Sequence, residues 1–266
     1  MAVATRGQGF SLVRAPRAFR CADFSLPNNN SSQLSIPIAS LGAMTANSFT
    51  MMGWFFKPAA VSGNDSEAFM LFDSTHAHFI SIRIGSLNQQ LTAHSDAASL
   101  SNFFDCTPNA TWYFFCLASD ATNGFSAARK RGTKLTTGTF ATTSGSPLPD
   151  TYRISNTWTD VENWQGYIAG VKTWDRRLSS ADVLRESMQL APVIDGGLVS
   201  YLRMDGGGAG QVNRDEACSK VWTRTGTIAT QNISPPVPEV VSPLIYSFVT
   251  QGGGTTLDTI QFGDIC

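Results

Sequence analysis

The residues of this chain best suited to chemistry gather in one polar stretch. It runs Asn156-Thr157-Trp158-Thr159-Asp160 and continues into Val161 and Glu162. An indole between an amide and a carboxylate suits a sugar, because the ring stacks on its C–H face while Asn156 and Asp160 bond its hydroxyls. The competing reading is a buried, structural Trp158. Glycoside hydrolysis would instead need two carboxyl groups about 5–10 Å apart, one a protonated acid and one ionised. The nearest approach is Asp160-Val161-Glu162, in a loop, so no residue is assigned a catalytic role. There is neither a Gly-x-Ser-x-Gly elbow nor a phosphate-binding loop.

Metal chemistry is poorly provided for. His76 and His78 alternate as neighbours on one strand face would, but a third ligand at matching spacing is missing. Calcium would need converging oxygen ligands. Asn64, Asp65, Asp73, Asp120 and Asp160 are loop amides and acids that form no dense cluster. No metal is assigned, calcium stays open, and no cofactor is expected. The five cysteines, Cys21, Cys106, Cys116, Cys218 and Cys266, include no Cys-x-x-Cys pair and read as free thiols.

The elements that must position these groups are strands. Phe79–Gly85 alternates, with Ile80, Ile82 and Ile84 to one side and Ser81 and Arg83 to the other, predicting one buried and one wet sheet face. Trp112–Ala118 is continuously apolar, as expected of a strand covered on both faces, and Asn123-Gly124 offers a tight hairpin turn. Ser48–Lys57, Phe69–Phe72, Gly166–Trp174 and Gly197–Asp205 read as further strands, and Leu244–Val249 as a last one. One short helix, capped by a serine near Leu178, is predicted to run to about Leu190 before Pro192. Trp54, Trp112, Trp164 and Trp174 are assigned to strands and to the core.

Composition agrees. Charged residues are 15% of 266, Glu occurs five times, and Gly, Ser, Thr and Asn are plentiful. That mixture favours short strands and turns over helical surfaces. The net charge of −1 excludes a nucleic-acid partner on electrostatic grounds, and no stretch approaches a membrane span. Residues 1–20 read as an extended basic arm with Arg6, Arg14, Arg17 and Arg20 ahead of the first acid: either a solvated arm or a segment that docks on an acidic surface of a partner subunit, with an acid-free, Arg-rich start that also resembles a transit peptide. Residues 21–232 form the folded domain, and 233–266 a Pro/Gly-rich arm that opens on Ser234-Pro235-Pro236-Val237-Pro238. No early stretch has signal-peptide form, so synthesis in a cytoplasm is expected.

Several stretches together resemble the laminin-G-like jelly roll of the concanavalin A-like lectin/glucanase superfamily. They are Ser48-Phe49-Thr50 through Trp54, Lys57 and Pro58; Thr111-Trp112-Tyr113; and Trp164-Gln165-Gly166-Tyr167-Ile168 with Val171, Trp174, Arg176, Leu178 and Ser179. Leu34-Ser35-Ile36-Pro37 is similar to the strand preceding these in the family. Gly197–Asp205 with Asn213-Arg214-Asp215 and Thr225-Gly226-Thr227 resembles a strand pair that often comes first in relatives. The resemblance implies an all-β, two-sheet antiparallel jelly-roll sandwich with one short helix. Glucanases of the superfamily carry an E-x-D-x-E strand, which this chain lacks. The expected function is therefore a non-catalytic structural or adhesion module of a large assembly: a phage virion protein (capsid decoration, head fibre or tail component) that also holds weakly to glycans. A lectin-like module outside any virion, in the extracellular space or on a cell surface, is the alternative. A glycoside hydrolase is disfavoured.

Overall fold

A computed structural model describes residues 21–25, 32–61, 63–96, 99–121, 123–130, 134–141, 148–157, 159, 161–205 and 212–236, with the backbone alone at 99–102. In chain order the first strands are β1 (Cys21–Asp23), β2 (Gln33–Pro37), β3 (Phe49–Lys57), β4 (Ser66–Phe72) and β5 (Phe79–Ile84). Then come β6 (Gln90–Ser95), β7 (Ser99–Asp105), β8 (Thr111–Ser119), β9 (Asn123–Lys130) and β10 (Thr136–Ala141). The last are β11 (Thr151–Ile154), β12 (Tyr167–Trp174), β13 (Leu198–Leu202), β14 (Thr223–Thr225) and β15 (Ala229–Gln231), with helix α1 (Ser180–Glu186) between β12 and β13.

Two antiparallel sheets stack face to face, as the sequence predicts. The eight-stranded sheet has the order β10-β9-β8-β3-β12-β1-β15, with β13 also paired to β12; the seven-stranded sheet has the order β14-β2-β11-β4-β5-β6-β7. Between them lies a core of Phe49, Met51, Phe55, Phe69, Leu71, Ile80, Ile82, Ile84, Tyr113, Phe115 and Leu117, with Trp164 and Trp222. Their alternate neighbours on β3 and β8 are also apolar, so the far face of the eight-stranded sheet must be covered too. The segment after β12 covers it. A second core joins Met52, Trp54, Phe114, Cys116 and Trp174 to Leu178, Val183 and Leu190.

Strand β12 sits where these layers meet. It pairs with β3 on one side and with β1 and then β13 on the other. Gly170 lies at a register shift with a φ of 58°, a conformation glycine adopts freely, and Leu190 packs close above it. Lys172, buried on the outer face, reaches into the α1 segment. Its ammonium donates to Glu186 Oε2 at 2.6 Å and to the carbonyls of Glu186, Gln189 and Ala191. The other carboxylate oxygen, Glu186 Oε1, accepts the Val193 and Ile194 amides at 2.8 Å.

This ion pair corrects the helix boundary. Ser179 caps α1 by accepting the Asp182 amide, as expected. The helix nevertheless ends at Glu186, because Lys172 takes up the carbonyls that a further turn would use. The hairpin turn is also displaced. Asp120 closes it, accepting the Asn123 amide, and Asn123-Gly124 already belongs to β9, where Phe140 stands against Gly124 too closely for a side chain. His76 and His78 lie in the turn between β4 and β5, so they do not share a strand face. Asp73 builds that turn by accepting the Thr75 and His78 amides. Arg6, Arg14, Arg17, Arg20, the Leu244–Val249 strand and Cys266 lie outside the described residues.

Breaking the Lys172–Glu186 pair should be costly. Lys172→Met strands a buried carboxylate, and should lower the unfolding free energy by about 3–5 kcal/mol in urea titration. Lys172→Met/Glu186→Gln should recover part of that loss, because the neutral amide keeps the Oε1 acceptor without the charge.

Candidate functional site

The described residues of the predicted polar stretch follow β11 and meet the outer face of the seven-stranded sheet where Thr157 contacts Arg153 and Glu162 contacts Arg83. The ends of this loop are pinned: the Trp164 amide donates to the Ser155 carbonyl at 2.9 Å, and the Ser155 amide to Ala68. Ser155 takes a φ of 76°, which turns the chain out of β11. Asn156 is buried, and its side-chain oxygen accepts the Thr157 and Glu162 amides, closing the loop on itself. Asn156 therefore builds the loop and offers its carboxamide oxygen to the backbone. Trp158 and Asp160 lie outside the described residues. Between them, Thr159 Oγ1 stands 2.9 Å from Thr157 Oγ1.

On that outer face, strand register sets side chains in rows. One row runs Arg153, Met70, Ser81, His94 across β11, β4, β5 and β6. The next runs Glu67, Arg83, Thr92. A third pairs Phe72 with Phe79. Arg153 lies over the Phe72 ring at 4.8 Å, and its guanidinium donates to the Thr157 carbonyl. His94 meets Phe79 edge-on at 5.0 Å. Thus the face alternates aromatic rings with charged or imidazole groups. The sequence reading of a wet face over Ser81 and Arg83 is corrected here: Ser81 is fully buried, and the Arg83 side chain, held by Asp65 and Glu162, is only 26% exposed.

Arg83 organises the acids. It binds Asp65 Oδ2 at 3.1 Å and Glu162 Oε2 at 3.5 Å, tying the loop to the sheet. Glu67 stands opposite Arg83, fully buried, with the Ser81 hydroxyl as the donor beside its carboxyl and no close hydrogen bond to either oxygen. Burial pushes Glu67 well above the usual carboxylate range, against the pull of Arg83. Glu162 is raised for the same reason and with the same opposition. Burial likewise holds His94 down to about 4, helped by the Arg83 charge, so its imidazole is neutral at pH 7. Sequence reasoning passed over Glu67, Arg153 and His94. Their one signal was a charge inside an otherwise apolar run, Ser66-Glu67-Ala68-Phe69.

The metal candidates part company. Asp65 serves Ser86 and Arg83, while Asp73 serves its own turn. Asp120 pairs with Arg177, and His78 with Asp96 at 2.6 Å. Among the described residues no three His, Cys, Asp or Glu side chains converge on a common point. Cys21, Cys106, Cys116 and Cys218 are free thiols.

Two stacked antiparallel sheets in this order, with a helix on one outer face, define a jelly-roll β-sandwich, the fold that the sequence resemblance implies. No family model matches the sequence, and neither does any curated protein. Solved structures do match in fold. A candidate carbohydrate-binding protein from Bacteroides ovatus superposes with a TM-score of 0.58 at 14% identity, over 83% of this chain and 61% of that one. The heptameric SAP-like pentraxin of Limulus polyphemus gives 0.50 at 14% identity, over 80% of this chain and 94% of its own. The mouse laminin α1 LG4-5 region gives 0.43 at 9% identity, over 67% and 48%. The chain thus spans under two thirds of the Bacteroides protein.

The buried Glu67 carboxyl makes stability pH-dependent. Its folded pKa lies above its unfolded one, so the native state holds a proton that the unfolded chain releases. Stability should therefore fall as pH rises above about 4.5, by at most about 1.4 kcal/mol per pH unit for one proton. Glu67→Gln removes this term. Its urea midpoint should match the parent near pH 4 and exceed it increasingly toward pH 8.

Proposed function

We propose that this chain is a carbohydrate-binding jelly-roll module that binds without catalysing. The observation that carries the reading is the outer face of the seven-stranded sheet. There the half-buried Phe79 ring lies beside His94, while Arg153 covers the buried Phe72 ring and bonds Thr157 of the loop that bears Trp158 and Asp160. Rings that stack on sugar C–H faces, next to charged groups that bond hydroxyls, are what saccharide recognition needs. In this reading Trp158 and Asp160 contact the glycan and Asn156 holds their loop in place. The two acids below argue for binding over hydrolysis: Glu67 is fully buried and Glu162 is engaged by Arg83, so neither stands open to act as acid or base. The fold shared with the Bacteroides ovatus protein is consistent with this.

We further infer that the module works inside a larger assembly, as a phage virion component such as a capsid decoration, head-fibre or tail protein. Its two ends would be the docking segments. The support is their composition: residues 1–20 carry four arginines and no acid, while nothing after Arg224 is basic. A free-standing surface lectin is the alternative.

Two measurements test these readings. On a glycan array the parent should bind a restricted set of glycans, and Trp158→Ala or Arg153→Ala should lower that signal at least tenfold with the fold intact. Unchanged binding to every glycan, or hydrolysis of a bound oligosaccharide, refutes the binding module. In limited proteolysis of a dilute sample, 1–20 and 235–266 should be clipped from a stable core. A monomer with both ends protected refutes the docking role.

A further inference from the structure

The outer face of the eight-stranded sheet carries a second feature that saccharide binding does not use. Between α1 and the edge strands β9 and β10 runs an open groove of about 700 Å³. Its apolar wall is Leu135, Leu184 and Met188; the last two are exposed on the outer side of the α1 segment. Arg129 and Lys134 also line it, and neither forms an ion pair among the described residues. Arg129 donates one bond to Ser187 Oγ, while its Nε is buried with no acceptor. Burial lowers the Arg129 pKa, the mark of a guanidinium short of solvent and of a counter-charge. The groove therefore asks for an apolar, acidic occupant.

The chain contains one. After Arg224 there is no Lys or Arg, and residues 257–265 read Leu-Asp-Thr-Ile-Gln-Phe-Gly-Asp-Ile. In an extended conformation the period of two places Asp258, Ile260, Phe262 and Asp264 on one side. That side has two acids flanking two large apolar groups, the complement of two cations flanking leucine and methionine. The docking role proposed for this segment places it on a second copy. The described chain leaves from β15, at the opposite edge of the sheet from β10, six strand spacings or roughly 29 Å away. The direct path between them is occupied by the α1 layer of the second core. An exit at one edge and a groove at the other join naturally head to tail.

We propose that residues 257–265 of one copy occupy the Arg129–Lys134 groove of the next. About twenty residues separate Pro236 from Leu257, with a reach of up to about 70 Å, so the span to a neighbour is no obstacle. The proposal rests on the docking role given above to the C-terminal segment, and is independent of glycan binding.

The test uses the full chain and charge reversal, read by light scattering during size exclusion. The parent should associate with rising concentration, and 0.5 M salt should weaken this at least tenfold. Arg129→Glu/Lys134→Glu and Asp258→Lys/Asp264→Lys should each be monomeric alone. Mixed one to one they should associate again, because each supplies a surface that the other's complement fits. Leu184→Lys, on the exposed face of α1, provides an independent disruption if a reversed variant misfolds. A parent that stays monomeric, association that survives groove reversal, or a mixture that remains monomeric overturns the proposal. A monomer that still binds glycans overturns it while leaving the carbohydrate reading intact. Clipping of 235–266 without any association keeps the docking role of the ends but removes this groove as the dock.

Discussion

The structure turns on the capture of Glu186 by Lys172. A sandwich needs only one apolar face per sheet, yet β3 and β8 are apolar on both. Leaving Trp54, Phe114 and Trp174 in water would forfeit roughly 1.5–3 kcal/mol for each large side chain. The cover is a seven-residue helix, too short to hold itself together in isolation. It is held by a buried ammonium that satisfies a carboxylate and three carbonyls at once. Burial draws Lys172 down to about 8 while Glu186 pulls it up, so the residue remains charged at neutral pH. A buried pair of this kind is weak evidence of net stability. Its effect here is positional, since it fixes where the helix stops and where the chain returns to form β13.

A second polar knot repeats that logic in the closing segment. Asp215 is buried, and it accepts from the Tyr201, Ala217 and Cys218 amides, from Ser200 Oγ and from Trp222 Nε1. It thereby joins β13, which extends the eight-stranded sheet, to Trp222, which enters the inter-sheet core just before β14 of the other sheet. In both knots a single carboxylate, satisfied at several points, orders a segment with too little apolar surface to order itself. The seven-stranded sheet uses Arg83 in the same way to fasten the 155–164 loop.

The two outer faces consequently differ in kind. One is sealed by an apolar layer whose exposed rim, Leu184 and Met188 beside Arg129 and Lys134, suits a protein segment. The other meets a polar loop and sets rings next to charges, which suits a saccharide. Glu67 shows the cost of that second arrangement. Its carboxyl is buried with only Arg83 and the Ser81 hydroxyl to offset the loss of water, and burial wins, raising its pKa well above the usual carboxylate range.

Much of this architecture was written locally. The alternation Ile80, Ile82, Ile84 specifies which side chains of that strand enter the inter-sheet core, and the unbroken run Trp112–Ala118 a strand covered on both faces. Ser179 specifies where the helix begins, and Asn156–Asp160 a polar loop between two strands. These signals depend on side-chain period and capping, which neighbours in sequence settle among themselves. The sheet face that the loop meets was not local. Glu67, Arg83, Arg153 and His94 come from four strands spread over almost ninety residues, and only sheet register sets them side by side. The same holds for the end of the helix, decided by a lysine fourteen positions upstream, and for His76 and His78, which a turn built by Asp73 removes from the strand face that their spacing suggested. Pairing across strands and capture of a distant charge depend on contacts between chain segments, and those arise only once the two sheets have closed.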